Sequence, residues 1–139
     1  MRAIYCRMER FQALPVARVW PQAPDNPAPV EVTAAVVVYL ALEEGDDTRQ
    51  EALAEALVQA AGRLDPALPL VLHSFNHLTA RPLKARPAAR LYAHLAEAVQ
   101  ARRAAPVLAT AFGWTHRLRL EDDGTPGSKG LLLVPAAGS

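Results

Sequence analysis

The chain has a single cysteine, Cys6, in 139 residues. An intrachain disulfide and a thiolate metal cluster are thereby excluded. Cys6 sits in a short apolar stretch and reads as a buried structural thiol, with no electropositive, open setting to activate a nucleophile. Long hydrophobic runs are also missing: none approaches the roughly 20 residues that a membrane span requires. The opening MRAIYCRMER carries charges where a signal peptide would have its apolar segment, so a cytoplasmic protein is expected. No excess of one charge is present either. A formal net charge of +1 argues against coating long nucleic acid through many phosphate contacts. Internal repeats are absent, and the one compositionally biased tract is a proline-rich segment near the start.

What remains is 51% hydrophobic and 21% charged, the composition of one globular domain, residues 1–139, with a real core. Charge is divided unevenly along it. Residues 1–70 hold six basic and ten acidic side chains, whereas 71–139 hold nine and four. A polyanionic partner would meet the second half, unless Arg81, Lys84, Arg86, Arg90, Arg102 and Arg103 only solvate a loop and a helix face.

Residues 2–6 read as a first short strand. The following LPVARVWPQAPDNPAPVEV has prolines that forbid helix and disfavour ladder pairing, so a loop or edge meander is expected. VTAAVVVYLALE, 32–43, is β-branched and apolar on both faces, which predicts a central strand. Thr48 and Glu51 have capping-box spacing, and Leu53, Leu57, Ala60, Ala61 and Leu64 repeat at helical intervals, predicting a helix over about 49–63. LPLVLHSF is the next strand, and a second helix opening at Pro87 buries Leu91, Leu95 and Val99. PVLATAF and THRLRLE are further strands around Gly113. DDG at 122–124 then turns the chain into a tail with a last apolar run, LLLV. Strands alternating with two helices predict an α/β domain with a mixed, partly parallel sheet, whose ligands lie beyond the carboxyl ends of strands. His77 and His116 fall near such ends.

His73 and His77, four apart, invite a metal reading. It fails on context, because VLHSF reads as strand and no cysteine or acidic residue nearby offers a third ligand. Neither a metal nor a cofactor is expected. Ser74 lacks the glycine-flanked turn that would expose a nucleophile, so a Ser/His/Asp triad is set aside. His94, mid-helix beside Tyr92, reads as solvent-facing or structurally satisfied. His77 opens a loop with Asn76 and Thr79, where a structural and a ligand-binding role both stand. Two readings also stand for AFGW: Phe112 and Trp114 are core with Gly113 a bulge, or Gly113 brings backbone close to a ligand.

Taken together, MRAIYC, VVVYLALE through Glu43, FNHLT at 75–79 and AFGWTH at 111–116 resemble, in the same order, the editing domain of archaeal-type threonyl-tRNA synthetases. That family, a relative of the D-aminoacyl-tRNA deacylases, carries Phe-Ala-His-Leu-Ser and Pro-Phe-Gly-Trp/Tyr-Tyr-Lys motifs. The resemblance implies the deacylase fold and hydrolysis of seryl-tRNA charged onto threonine tRNA. It implies His77 and His116 as catalytic, and a substrate pocket of Tyr39, Glu43, Phe75, Asn76, Ala111, Phe112, Gly113, Trp114 and Thr115. The implied partners are the tRNA 3′ end, a threonyl-tRNA synthetase in trans and a second copy of the chain. PAAGS at the end offers no evident linker, which favours a free-standing deacylase over a module of a longer synthetase.

The departures are specific. Thr115 and His116 stand where the family has Tyr-Lys, Asn76 replaces the motif alanine, and no glutamate in SKGLLLV matches the one in the family's last segment. Two other functions therefore stay open: a deacylase of different amino-acid or D-amino-acid specificity, and a module that binds an aminoacyl or nucleotide ligand without turnover.

Overall fold

The computed structural model describes residues 1–136. The chain runs β1 (Arg2–Arg18), β2 (Val30–Ala41), α1 (Gln50–Leu64), β3 (Leu70–Ser74), α2 (Ala85–Ala101), β4 (Val107–Ala109), β5 (Trp114–Asp122) and β6 (Lys129–Leu133). Short 3-10 turns at Asp46–Thr48 and Asn76–Leu78 precede α1 and α2. The sheet order is β4-β3-β2-β1-β5, with β6 also paired to β1. The crossovers through α1 and α2 make β2, β3 and β4 parallel, and β1 pairs antiparallel with β2, β5 and β6. The expected mixed, partly parallel sheet with two helices is the one observed.

Val36, Val38, Leu40, Leu70 and Leu72 face Leu53, Leu57, Leu91, Leu95 and Val99 of the two helices. The alternate residues Val37 and Val71 of the same strands join Met8 and Phe11 of β1 in a smaller cluster on the opposite face. β2 is therefore apolar at consecutive positions because both of its faces are covered. Cys6 belongs to this second cluster as a buried free thiol. Among the described residues, no helix is long and apolar enough to cross a membrane.

β1 corrects the expectation of a five-residue strand and a proline loop: it runs seventeen residues, through Leu14, Pro15 and Val16. Pairing with β2 stops at Ala13, so Pro15 lies where β1 has only β5 beside it, opposite His116 and next to a register shift. A proline fits there because no second ladder asks for its missing N–H. The apolar run LLLV is likewise no loose tail; residues 129–133 pair with Arg2–Cys6.

Helix α1 starts without the predicted capping box. Arg49 is at the cap, Thr48 donates to the Gly45 carbonyl, and Glu51 turns to Arg102. The connection into α1 is held instead by Asp46, fully buried, whose carboxylate accepts from the Glu43 N–H, the Met1 amino group and the Arg49 guanidinium. β2 ends at Ala41, and Glu43 makes only an isolated bridge to Pro82. Helix α2 starts two residues before Pro87, which falls in the first turn, where an amide N–H has no intrahelical partner to lose. β4 is only three residues long, so Ala111 and Phe112 leave the ladder. His94 lies 3.5 Å from Glu51 across the helix pair. The end of PAAGS, from Ala137, lies outside the described residues.

Candidate active site

β3 ends at Ser74, and the chain turns at once through Phe75, Asn76 and His77. Leaving β4, the chain passes Thr110, Ala111, Phe112 and Gly113 before β5 begins at Trp114. The two segments form opposite walls of one cleft of about 510 Å³, closed further by Val19, Trp20 and Leu83. It lies beyond the carboxyl ends of the parallel strands, where helical crossovers leave room for a ligand. A separate depression over Arg10, Glu31 and Arg119 lies on the β1–β5 arm and gathers none of these groups.

Of the residues expected at a site, Phe75, Asn76, His77, Ala111, Phe112, Gly113, Trp114, Thr115 and His116 line this cleft. Tyr39 and Glu43 do not. Tyr39 stands behind the wall, its ring 5.4 Å from that of His73 and 5.9 Å from that of Phe75. Glu43 instead holds the loop after β3: it accepts from Thr79 at 2.7 Å and from Arg2 at 3.0 Å, and lies 3.2 Å from the Met1 amino nitrogen. Burial alone would raise its carboxyl pKa, but the hydrogen bonds from Thr79, Met1 and Arg2 hold it below the usual range. The threonine of FNHLT thus anchors the turn that presents His77, and His77 stacks edge-on against Phe75 at 5.2 Å.

Gly113 has φ +84°, and a Cβ there would come within 2.7 Å of Ala23 Cβ and 3.0 Å of Trp20 Cβ. Its carbonyl already accepts from the N–H groups of Val19 and Trp20, so this glycine holds a wall of the cleft and its carbonyl is not free for a ligand. Trp20 packs edge-on against Phe112, while the Trp114 indole donates to the Pro24 carbonyl at 2.8 Å. Gly113→Ala should therefore cost about 1–3 kcal/mol in a denaturant titration and shift the Trp20 fluorescence, since a left-handed backbone and a close contact are both forced.

At the floor of the cleft two imidazoles meet. His73 and His116 have ring centroids 5.5 Å apart, nearly perpendicular. His73 is 6% exposed, with Nδ1 2.8 Å from Thr110 Oγ1. Thr110 is in turn held by the buried Tyr92 hydroxyl, which lies 2.9 Å from the Thr110 carbonyl and 2.7 Å from that of Leu72. Burial, and then the charge of neighbouring His116, lower the His73 pKa to about 4. Burial also lowers that of His116, partly offset by a backbone hydrogen bond at Trp114. Both rings are neutral at pH 7. As pH falls from about 6.5 to 4 the unfolded chain takes up a proton at His73 that the folded chain refuses. Stability should therefore fall over that interval, by about 3 kcal/mol from His73 alone, and His73→Phe should flatten the slope in urea titrations at a series of pH values.

The chain matches, over residues 1–131, the family described as the Archaea-specific editing domain of threonyl-tRNA synthetase. It belongs to that family. No curated protein matches it. Among solved structures, this editing domain is similar to a probable eukaryotic D-amino acid tRNA deacylase, with 15% identity and a TM-score of 0.69, over 94% of this chain and 97% of that one. At that identity the likeness is one of fold.

In this editing domain, sequence reasoning passed over His73, Thr110 and Trp20. The sequence marks His73 only as a candidate metal ligand, and among the described residues no group of three metal-ligating side chains assembles. The available signal was the interruption of a continuous apolar strand, LPLVL, by one imidazole at the register position of Tyr39. Trp20 had no local signal, because its place depends on β1 running through Pro15.

Proposed function

We propose that the chain is an aminoacyl-tRNA deacylase that removes serine from threonine tRNA. The observation that carries this reading is the assembly of Phe75–His77 and AFGWTH, more than thirty residues apart, into the two walls of one cleft with the imidazoles of His73, His77 and His116 on it. Family membership supports the same conclusion. The task suits the physics: serine and threonine differ by one methyl, a difference worth only roughly 1–3 kcal/mol to a synthetic site, so accuracy requires a second, hydrolytic one.

In this reading the cleft takes the aminoacyl ester at the 3′ end of the tRNA. Water adds to the ester carbonyl, His116 accepts its proton, and backbone N–H groups at the strand ends contribute to holding the oxyanion. Collapse breaks the bond to the ribose oxygen, which takes the proton back. The ribose 2′-OH assists in placing the water, and exposed His77 with Asn76 contacts the terminal nucleotide. Only a few phosphates need neutralising, in keeping with a chain of low net charge. No metal or cofactor enters.

The reading includes a second copy of the chain and a threonyl-tRNA synthetase in trans as partners. Ile4 and Leu131, paired across β1 and β6, and neighbouring Leu133 leave apolar side chains exposed on one face of the sheet, a surface suited to self-association. Sedimentation of the intact chain tests it. A second reading, hydrolysis of another aminoacyl ester, is favoured by His116 standing where related chains carry lysine. A panel of seryl-, threonyl- and D-aminoacyl-tRNAs separates the two: preferential release of serine supports the first, and release of a D-residue with serine spared supports the second.

A further inference from the structure

Thr110 has one hydroxyl proton. Two acceptors stand near it, His73 Nδ1 at 2.8 Å and the Tyr92 oxygen at 3.4 Å. The Thr110 side chain is buried, and the Tyr92 oxygen at 3.4 Å is too distant to accept a good O–H···O bond, so the proton goes to Nδ1 at 2.8 Å and is not left unsatisfied. Nδ1 is then an acceptor, and the ring proton of neutral His73 must reside on Nε2. With Nδ1 engaged at Thr110 and the ring on the cleft lining, Nε2 is the nitrogen left for a ligand.

We propose that His73 is a catalytic hydrogen-bond donor of this site, its Nε2–H fixed by Thr110 to hold the ester carbonyl oxygen as it becomes an oxyanion. This inference rests on the deacylase reading. It divides labour between the adjacent imidazoles. Water oxygen bonds to the carbonyl carbon while its proton passes to His116, and the carbonyl π electrons move to the oxygen held by His73. When the double bond re-forms, the bond to the ribose oxygen breaks and His116 returns the proton to that oxygen. A free amino acid and a tRNA 3′-hydroxyl leave. Two imidazolium rings 5.5 Å apart would repel strongly in a low-dielectric cleft. His116 can therefore accept a proton only if its neighbour stays neutral, and His73, buried against Phe11, Tyr39 and Thr110, does so through the physiological range.

The test is single-turnover hydrolysis of seryl-tRNA by wild type, His73→Ala, His73→Gln, Thr110→Val and Thr110→Ser, with binding measured separately using a non-hydrolysable amide analogue of the aminoacyl end. Loss of one oxyanion donor should lower the rate of His73→Ala by about 10²–10³-fold with analogue binding little changed. His73→Gln, which restores an N–H near Nε2, should recover a large part, and Thr110→Ser should match wild type while Thr110→Val falls between. Nitrogen-15 NMR of the wild-type imidazoles should show His73 as the Nε2–H tautomer at pH 7. A wild type inactive on every charged tRNA would overturn the deacylase reading and this inference with it. An active wild type whose His73→Ala variant keeps its rate, or whose His73 carries its proton on Nδ1, would overturn the inference alone.

Discussion

His116→Ala is expected to slow aminoacyl-tRNA hydrolysis by about 10²–10⁴-fold, the usual contribution of one positioned general base. The residue is well placed for that effect. It is half-buried on β5, opposite Pro15 at the irregular end of the β1 ladder, with its ring beside His73 on the cleft floor. Burial keeps it neutral at pH 7, the form that accepts a proton. The acid limb of kcat/KM should lie below the ordinary histidine value of about 6.5 and should lose the His116 contribution in the variant. The sign follows from the direction of the shift: activity needs the neutral ring, so it is present above the lowered pKa and lost as pH falls through it. Unchanged melting of His116→Ala would show that the loss lies in the chemistry. A variant within twofold of wild type would remove His116 from the mechanism.

Asp46→Ala is expected to destabilise the fold by about 3–5 kcal/mol, the cost of leaving buried partners of a charge without their counterion. Asp46 is 0% exposed and accepts from the Met1 amino group at 3.0 Å, the Glu43 N–H at 2.7 Å and Arg49 Nη2 at 2.6 Å. Arg49 also donates to the Val134 and Pro135 carbonyls, so one carboxylate ties together the start of β1, the entry to α1 and the chain after β6. A loss of that size is a large share of the roughly 5–15 kcal/mol that holds a domain folded. It should appear as a lower urea midpoint with unchanged slope. Because Glu43, positioned by Asp46, also receives Thr79, the FNHLT turn should loosen, and His77 resonances should broaden before global unfolding. A midpoint shift worth under 1 kcal/mol would show that the cluster contributes little.

The helices and parallel strands were legible because periodicity reports burial directly: Leu53, Leu57, Leu91, Leu95 and Val99 face one core, and Val36, Val37 and Val38 are covered from both sides. β1 was not, since the cost of Pro15 depends on whether a second strand needs its N–H, and that is settled only by where β2 stops. The capping box failed for a related reason. Thr48 and Glu51 had the spacing, but the Gly45 carbonyl and the Arg102 guanidinium took their side chains, while Asp46 held Arg49 at the cap. At the cleft, the two motif segments were visible as local patterns, whereas the back wall of Trp20 and the Thr110–His73 contact are tertiary. Tyr39 and Glu43 came with the resemblance, and both lie outside the residues that line the cleft.

The most direct test is to charge threonine tRNA with serine or with threonine and follow amino-acid release by the intact chain over a single turnover. Serine should be released well above the uncatalysed rate while threonine is retained. Release of neither would contradict an ester-hydrolysing cleft and leave its imidazoles to ligand binding.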